Sequence, residues 1–287
     1  MTQRRNLVTV EWLAAHLVDP AVVIVDCRFE LAKPTAARAA YEEAHIPGAA
    51  YLDLDRDLSG PKTAHGGRHP LPDPAVFART LGDLGIDDTV TVVAYDIPQA
   101  AIAPRLWWML RYLGHDRVSV LDGGWPAWRA AGLPVAGGQG EQPRRPPRRF
   151  VPQPRPDLTV TVEEVRRLAG GRGCLVDSRA PERYRGEVEP LDPVAGHIPG
   201  ARNLPWNEAL DAQGRLKPRE ALAERFRGIE QGAVVYCGSG VTACANLLAM
   251  DEAGVPGARL YPGSWSDWCS YPENPAATAP RVKEQNR

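Results

Sequence analysis

The sequence predicts an α/β protein built from two tandem copies of one unit, each a mainly parallel sheet flanked by helices. Three observations lead there. First, short apolar runs alternate with amphipathic stretches along the whole chain. Second, four blocks recur in the same order. They are Asp26-Cys27-Arg28 with Asp177-Ser178-Arg179, His45-Ile46-Pro47-Gly48-Ala49 with His197-Ile198-Pro199-Gly200-Ala201, Val90–Asp96 with Ala233–Cys237, and Leu121-Asp122-Gly123-Gly124-Trp125 plus Trp128 answered by Tyr261-Pro262-Gly263-Ser264-Trp265 plus Trp268. Third, the spacing is nearly constant: Asp177 lies 151 residues after Asp26, His197 152 after His45, Cys237 141 after Asp96 and Trp265 140 after Trp125. Such spacing marks an internal duplication. The drop between the second and third intervals places extra residues in the first copy, with polar, Gly- and Pro-rich Ser59 to Pro74 as the candidate.

Each unit reads in order. Val10 to Val18 and Val160 to Leu168 are amphipathic helices, each preceded by a threonine able to cap it, Thr9 and Thr159. Val22 to Arg28 and Cys174 to Arg179 are apolar strands ending in Asp-x-Arg. Asp73 to Leu84 and Pro218 to Arg227 are further helices. The strands at Val90 to Asp96 and Ala233 to Tyr236 are followed by helices at Ile102 to Leu113 and Val241 to Met250. Residues 1–136 thus form a first domain, 137–156 a linker stiffened by prolines, and 157–287 a second domain. The arginines of the linker read as a solvated face, and the tail after Tyr271 as a segment that either wraps the surface or frays.

Composition narrows the function classes. With 44% hydrophobic and 24% charged residues the chain is an ordinary globular one. A net charge of −1 supplies no general nucleic-acid footprint, and no apolar run approaches the ~18 residues of a membrane helix. Glu11 and His16 interrupt the stretch behind Arg4 and Arg5, so a signal peptide is not expected, and the cytoplasm is the expected compartment. The five cysteines, Cys27, Cys174, Cys237, Cys244 and Cys269, contain no C-x-x-C pair, which argues against a structural zinc site and a disulfide framework. Cys27 and Cys174 read as core hydrophobes, and Cys244 as a packing residue on the helix after Cys237.

The chemistry concentrates between Ala233 and Met250. A buried strand runs into Cys237-Gly238-Ser239-Gly240-Val241-Thr242, and a helix follows. At such a junction backbone N–H groups converge and the helix dipole is positive, which favours a thiolate at Cys237. In the first copy the same place holds Asp96, which cannot form a persulfide, so that domain is expected to be inactive scaffold and site wall. His45 and His197 read as loop-fixing residues, and the four tryptophans as core aromatics.

Tyr41-x-x-x-His45-Ile46-Pro47-Gly48-Ala49, the tandem arrangement, the Cys237–Thr242 loop and Tyr261-Pro262-Gly263-Ser264-Trp265 together resemble the two-domain sulfurtransferases of the rhodanese family. Within it the loop is similar to that of the mercaptopyruvate-using members. Thiosulfate-using members typically carry Arg and Lys where this chain has Gly238 and Ser239. The resemblance implies that Cys237 takes a sulfane sulfur from 3-mercaptopyruvate and passes it to a thiol or cyanide, in ping-pong fashion and without metal or cofactor. It implies catalytic roles for Cys237, Ser239, Asp55 and His69, a carboxylate-holding role for Arg183, and donor contacts from Gly238, Gly240, Val241 and Thr242. A second family arginine is absent, and Leu191 stands about there. The implied partners are a small-molecule sulfur donor and a thiol acceptor, either a thioredoxin-like protein or a low-molecular-weight thiol, with no nucleic acid and no membrane.

A thiosulfate-preferring sulfurtransferase and a non-turnover persulfide carrier share these motifs. Gly238-x-Gly240-x-x-Ala243 fits a dinucleotide fingerprint, but the acid it wants about 20 residues on is missing at Arg259-Leu260-Tyr261. Phosphatases of this fold need an arginine six residues after the cysteine, where this chain has Ala243.

Overall fold

The computed structural model describes residues 6–30, 33–98, 100–138 and 145–278, with backbone alone for 34 and 35. Five strands form the first sheet: β1 (Leu7–Val8), β2 (Val22–Asp26), β3 (Ala50–Tyr51), β4 (Thr91–Tyr95) and β5 (Val118–Leu121), in the order β1-β5-β4-β2-β3. Four form the second: β6 (Leu175–Asp177), β7 (Arg202–Asn203), β8 (Val234–Tyr236) and β9 (Arg259–Leu260), in the order β7-β6-β8-β9. All the strand pairings are parallel. Where β1 flanks the first sheet, the second has a single parallel bridge from Thr159 to Leu260. The α/β class with two parallel sheets flanked by helices is therefore as the sequence predicts.

The strands are shorter than their apolar runs. Asp26 turns its carboxylate back onto the Arg28 amide at 2.9 Å, and Asp177 does the same to Arg179 at 2.9 Å. Such Asx turns take the chain out of the sheet, and each arginine then pairs with the same buried aspartate. Each guanidinium lies over a tryptophan, Arg28 on Trp125 and Arg179 on Trp265. The first helix runs Val10–Ala15 under a Thr9 cap, as expected at its start. Its counterpart begins at Val162, not Val160, because Thr161 rather than Thr159 forms a capping box with Glu164.

One apolar core crosses from sheet to sheet. Helix Ala103–Tyr112 contributes Leu106, Trp107 and Leu110, and helix Ala243–Ala253 contributes Leu247, Leu248 and Met250 to the same cluster. Burying each such side chain is worth ~1.5–3 kcal/mol, so the two halves are held as one body. The segment after Arg145 lies along the first sheet's helices, with the Arg148 and Gln153 amides bonded to the Gly82 and Leu113 carbonyls. Its arginines are not simply solvated: Arg148 pairs with Asp87 and Arg155 with Asp116. Residues 139–144 of the predicted linker and 279–287 of the tail lie outside the described residues.

Asp26 stands beside Tyr95 in register, and Asp177 beside Tyr236. The loops after β4 and β8 therefore leave from equivalent carboxyl ends of their sheets, where ligands bind in open α/β sheets.

Candidate active site

The loop after β8 turns its carbonyls away from its own centre. The Cys237 and Gly238 carbonyls accept from the Trp265 and Ser266 amides, at 3.0 and 2.9 Å. The Gly240 carbonyl accepts from Arg105 Nη1 at 3.2 Å, and those of Val241 and Thr242 from Cys244 and Ala245 of the helix. The Cys237 N–H donates to Ser264 Oγ at 3.1 Å. Among the described residues, the N–H groups of Gly238, Ser239, Gly240, Val241 and Thr242 have no partner. The loop thus carries five free amides at a helix N-terminus, and four of them, those of Gly238, Ser239, Val241 and Thr242, belong to residues that line the cavity beside Cys237, a place suited to an anion. Gly240 is needed for this turn: its φ is +76°, and a Cβ there would lie 2.2 Å from the Pro262 carbonyl.

Cys237 is 2% exposed. It lies at the floor of a cavity of about 330 Å³, lined among others by Phe29, Leu54, Ile97 and Leu191, as well as by the polar residues described below. Cys237 is buried, belonging to the apolar core on one side and lining the cavity on the other.

The far wall comes from the extra segment of the first copy. It crosses to the second sheet's half through the Gly66 amide on Asp267 at 2.6 Å, the Arg68 amide on Ser266 Oγ at 3.0 Å, and His65, which bonds Ser270 Oγ and stacks on Tyr271. The crossing delivers His69, whose Nδ1 is 2.7 Å from Ser239 Oγ and whose Nε2 is 3.2 Å from Asp55 Oδ1. An aspartate carboxylate only accepts, so Nε2 carries the proton and the Ser239 hydroxyl donates to Nδ1. Burial first, then the Arg105, Arg68 and Lys62 charges, push the His69 imidazole down to about 3, so the ring is neutral and its 3.2 Å contact with Asp55 is not an ion pair.

Three of the four residues for which catalytic roles were expected form this chain, and the fourth, Cys237, heads the same loop as Ser239. Asp55 does not line the cavity and touches His69, which does; Gly240 shapes the loop without lining the cavity. Gly238, Val241, Thr242 and Arg183 line it. Arg183 is held by Glu189 at 2.6 Å and by Asp192 at 3.3 Å. His45 and His197 bond the Tyr41 and Tyr184 carbonyls at 2.7 Å, outside the cavity.

Two arginines escape the sequence reading. Arg68 lines the cavity and pairs with Asp192. Arg105, with 0% exposure, has no carboxylate partner among the described residues and instead donates to the carbonyls of Leu58, His69, Pro70 and Gly240. It ties the crossing segment to the cysteine loop. Only its place in an apolar helical face, where a charge is costly, could have flagged it. Among the described residues no cluster of His, Cys, Asp and Glu is arranged to hold a metal ion, and no helix is long and apolar enough to cross a membrane.

A tandem pair of parallel sheets with a cysteine loop of this geometry defines a class, and comparison supplies it. The rhodanese-like domain model matches residues 9–131 and 161–271, and the chain belongs to the rhodanese family. It is 47% identical over 281 residues to a probable 3-mercaptopyruvate sulfurtransferase of Pseudomonas aeruginosa, covering 95% of this chain and 98% of that one. It is 41% identical over 267 residues to a putative thiosulfate sulfurtransferase, SseB, of Mycobacterium tuberculosis, covering 90% of each. The crystal structure of the 3-mercaptopyruvate sulfotransferase SseA from Escherichia coli superposes with a TM-score of 0.79 at 34% identity, covering 91% of this chain and 99% of that one.

Proposed function

We propose that this chain is a sulfurtransferase that moves a sulfane sulfur from 3-mercaptopyruvate, through a persulfide on Cys237, to a thiol or to cyanide. The observation that carries the reading is the set of unpartnered amides beside Cys237, four of them on residues lining a cavity that the Asp55–His69–Ser239 chain enters from the other side. The relatives named for mercaptopyruvate at high identity and coverage support the choice of donor.

In this mechanism the Cys237 thiolate attacks the donor's sulfur. A sulfur–sulfur bond forms, the donor's carbon–sulfur bond breaks, and the electron pair passes into the pyruvate enolate. The thiol proton of the donor passes through Ser239 toward His69 and returns to the enolate carbon, giving pyruvate and an anionic persulfide. His69 holds that proton only in transit, because its burial disfavours the imidazolium. The persulfide is then stabilised by the loop amides until an acceptor thiolate attacks its outer sulfur and releases Cys237. Asp96 leaves the first domain without a sulfur acceptor of its own. A thioredoxin-like protein or a small thiol in the cytoplasm is the acceptor we infer.

Thiosulfate is the second reading, favoured by the Mycobacterium tuberculosis relative and by the two guanidinium groups at the cavity. Intact-mass measurement after exposure to each donor separates the two, with Cys237→Ser as control. Mercaptopyruvate is expected to add one sulfur at Cys237 more efficiently than thiosulfate. Equal or reversed uptake refutes the donor, and uptake without multiple turnover makes the chain a persulfide carrier.

A further inference from the structure

We propose that the outward face of the loop 187–195 is the surface on which the sulfur acceptor docks, and that this acceptor is a protein carrying its thiol on an apolar face. The proposal rests on the persulfide reading above and concerns its second half, the transfer away from Cys237. The loop is turned inside out. Seven large apolar side chains are exposed among the described residues, and three of them stand here: Val188 at 51%, Leu191 at 43% and Val194 at 39%. Pro190, Pro193 and Ala195 are exposed beside them. The acids go the other way, with the side chains of Glu189 and Asp192 only 3% and 2% exposed. This reverses the usual partition, which leaves carboxylates in water and buries apolar groups.

Ion pairs and backbone bonds hold the loop in this state. Glu189 takes Arg179 at 3.3 Å and Arg183 at 2.6 Å, and Asp192 takes Arg68 and Arg183. Glu189 Oε1 also accepts from the Leu191 and Asp192 amides, each at 3.2 Å, and the Val194 carbonyl accepts from Trp265 Nε1 at 2.9 Å. Pro190 and Pro193 fix their own φ. The apolar face is therefore preformed, and a partner meets little ordering cost on it. A set of exposed apolar groups of this kind marks an interaction site.

Its place says which partner. Leu191 also lines the Cys237 cavity, so the face is continuous with the way in. Cys237 is 2% exposed, so an acceptor thiol has to enter that cavity to reach the outer sulfur. A small thiol needs the cavity alone and gains nothing from Val188 and Val194, which do not line it. Nor does the loop offer it a charge: Glu189 and Asp192 are paired, and Glu187 accepts from Arg185 at 3.0 Å. A protein with its thiol on an apolar projection uses both parts, the thiol in the cavity and the apolar flank on Val188, Leu191 and Val194. In the transfer its thiolate bonds the outer sulfur, the bond between the two persulfide sulfurs breaks, and that electron pair returns to Cys237.

The test uses the full chain and the double variant Val188→Asp, Val194→Asp, with reduced thioredoxin as the protein acceptor and cyanide as the small one. For thioredoxin, kcat/KM is expected to fall roughly 10- to 100-fold, since two apolar contacts become buried carboxylates. For cyanide it is expected to stay within about twofold of the parent. A parent that serves cyanide but not thioredoxin, or a variant in which both acceptors fall alike or neither falls, overturns the proposal and leaves the persulfide reading intact. A second measurement needs no sulfur donor. A thioredoxin reduced to its one attacking cysteine is coupled to thionitrobenzoate; the Cys237 thiolate attacks the protein sulfur of that disulfide, links the two chains and expels coloured thionitrobenzoate. The double variant is expected to link roughly 10-fold more slowly than the parent, while free dithionitrobenzoate labels Cys237 equally fast in both. Equal linking rates overturn the docking surface. Failure of both mercaptopyruvate and thiosulfate to load Cys237 sinks the persulfide reading instead, and the linking rates still decide the surface. A parent that sediments as a dimer, with the double variant a monomer, assigns the face to a second copy of this chain and overturns the proposal.

Discussion

The loops after β4 and β8 occupy the same place in their sheets and do opposite things with it. In the first, Asp96 Oδ2 accepts from the Ile102 and Ala103 amides at 2.6 and 2.8 Å, so the chain fills its own helix N-terminus with a carboxylate. In the second, Cys237 brings no carboxylate, and the amides of Gly238 to Thr242 have no partner among the described residues. The supporting contact is shared: the Trp125 amide reaches the Asp96 carbonyl at 2.8 Å just as the Trp265 amide reaches that of Cys237 at 3.0 Å. The space is not shared. Beside Asp96 lies a cavity of about 50 Å³, walled by Pro98, Trp206 and Leu216, against about 330 Å³ beside Cys237. A duplicated scaffold thus yields one loop whose helix N-terminus is bonded by its own carboxylate and one whose free amides stand beside a cavity. The first half then serves the second, through His69, Arg68 and Arg105.

The contrast breaks most sharply at the two loop heads. Cys237→Ser is expected to lower turnover more than about a thousandfold. Adding Asp96→Cys in that background is expected to restore no sulfur uptake by intact mass; uptake at position 96 would show that the first loop is open after all. Next in size is the service the first half gives. Arg105→Met would strip four carbonyls of a buried donor, and is expected to cost about 3 kcal/mol or more, read as a Tm several degrees lower. A Tm within one degree or so of the parent would mean that the domains hold without it.

The smallest effect sharpens the account of Asp96. Its burial, with a smaller push from Asp26, raises its carboxyl to about 7 against the pull of the two amides. A folded-state value above the unfolded one means that the native protein binds this proton more tightly. The stability Asp96 contributes is therefore full below about pH 4 and is lost as pH rises through about 7. Asp96→Asn is expected to remove that slope in unfolding measurements between pH 4 and 8, and an unchanged slope would point to another group. His69 runs the other way: with its value depressed, its contribution is lost as pH falls from about 6.5 toward 3.

The sequence by itself determined the duplication, the α/β alternation, the position of Cys237 after a buried strand and the inequality of the two loop heads. Those features are local: periodicity, turn composition and residue identity at a strand end. With the family resemblance it also pointed to Asp55, His69, Ser239 and Arg183. It misplaced element ends where side chains intervened, as Asp26, Asp177 and Thr161 do, because apolar runs do not show where a polar side chain will turn the backbone. Only the tertiary structure decided which way the loop carbonyls point, since their donors, Trp265, Ser266 and Arg105, lie far along the chain. In a sequence an arginine that will face a cavity looks like one that will face water. Arg68 and Arg105 acquire their meaning only when residues from the other half of the chain, Gly238 and Gly240, are folded against them.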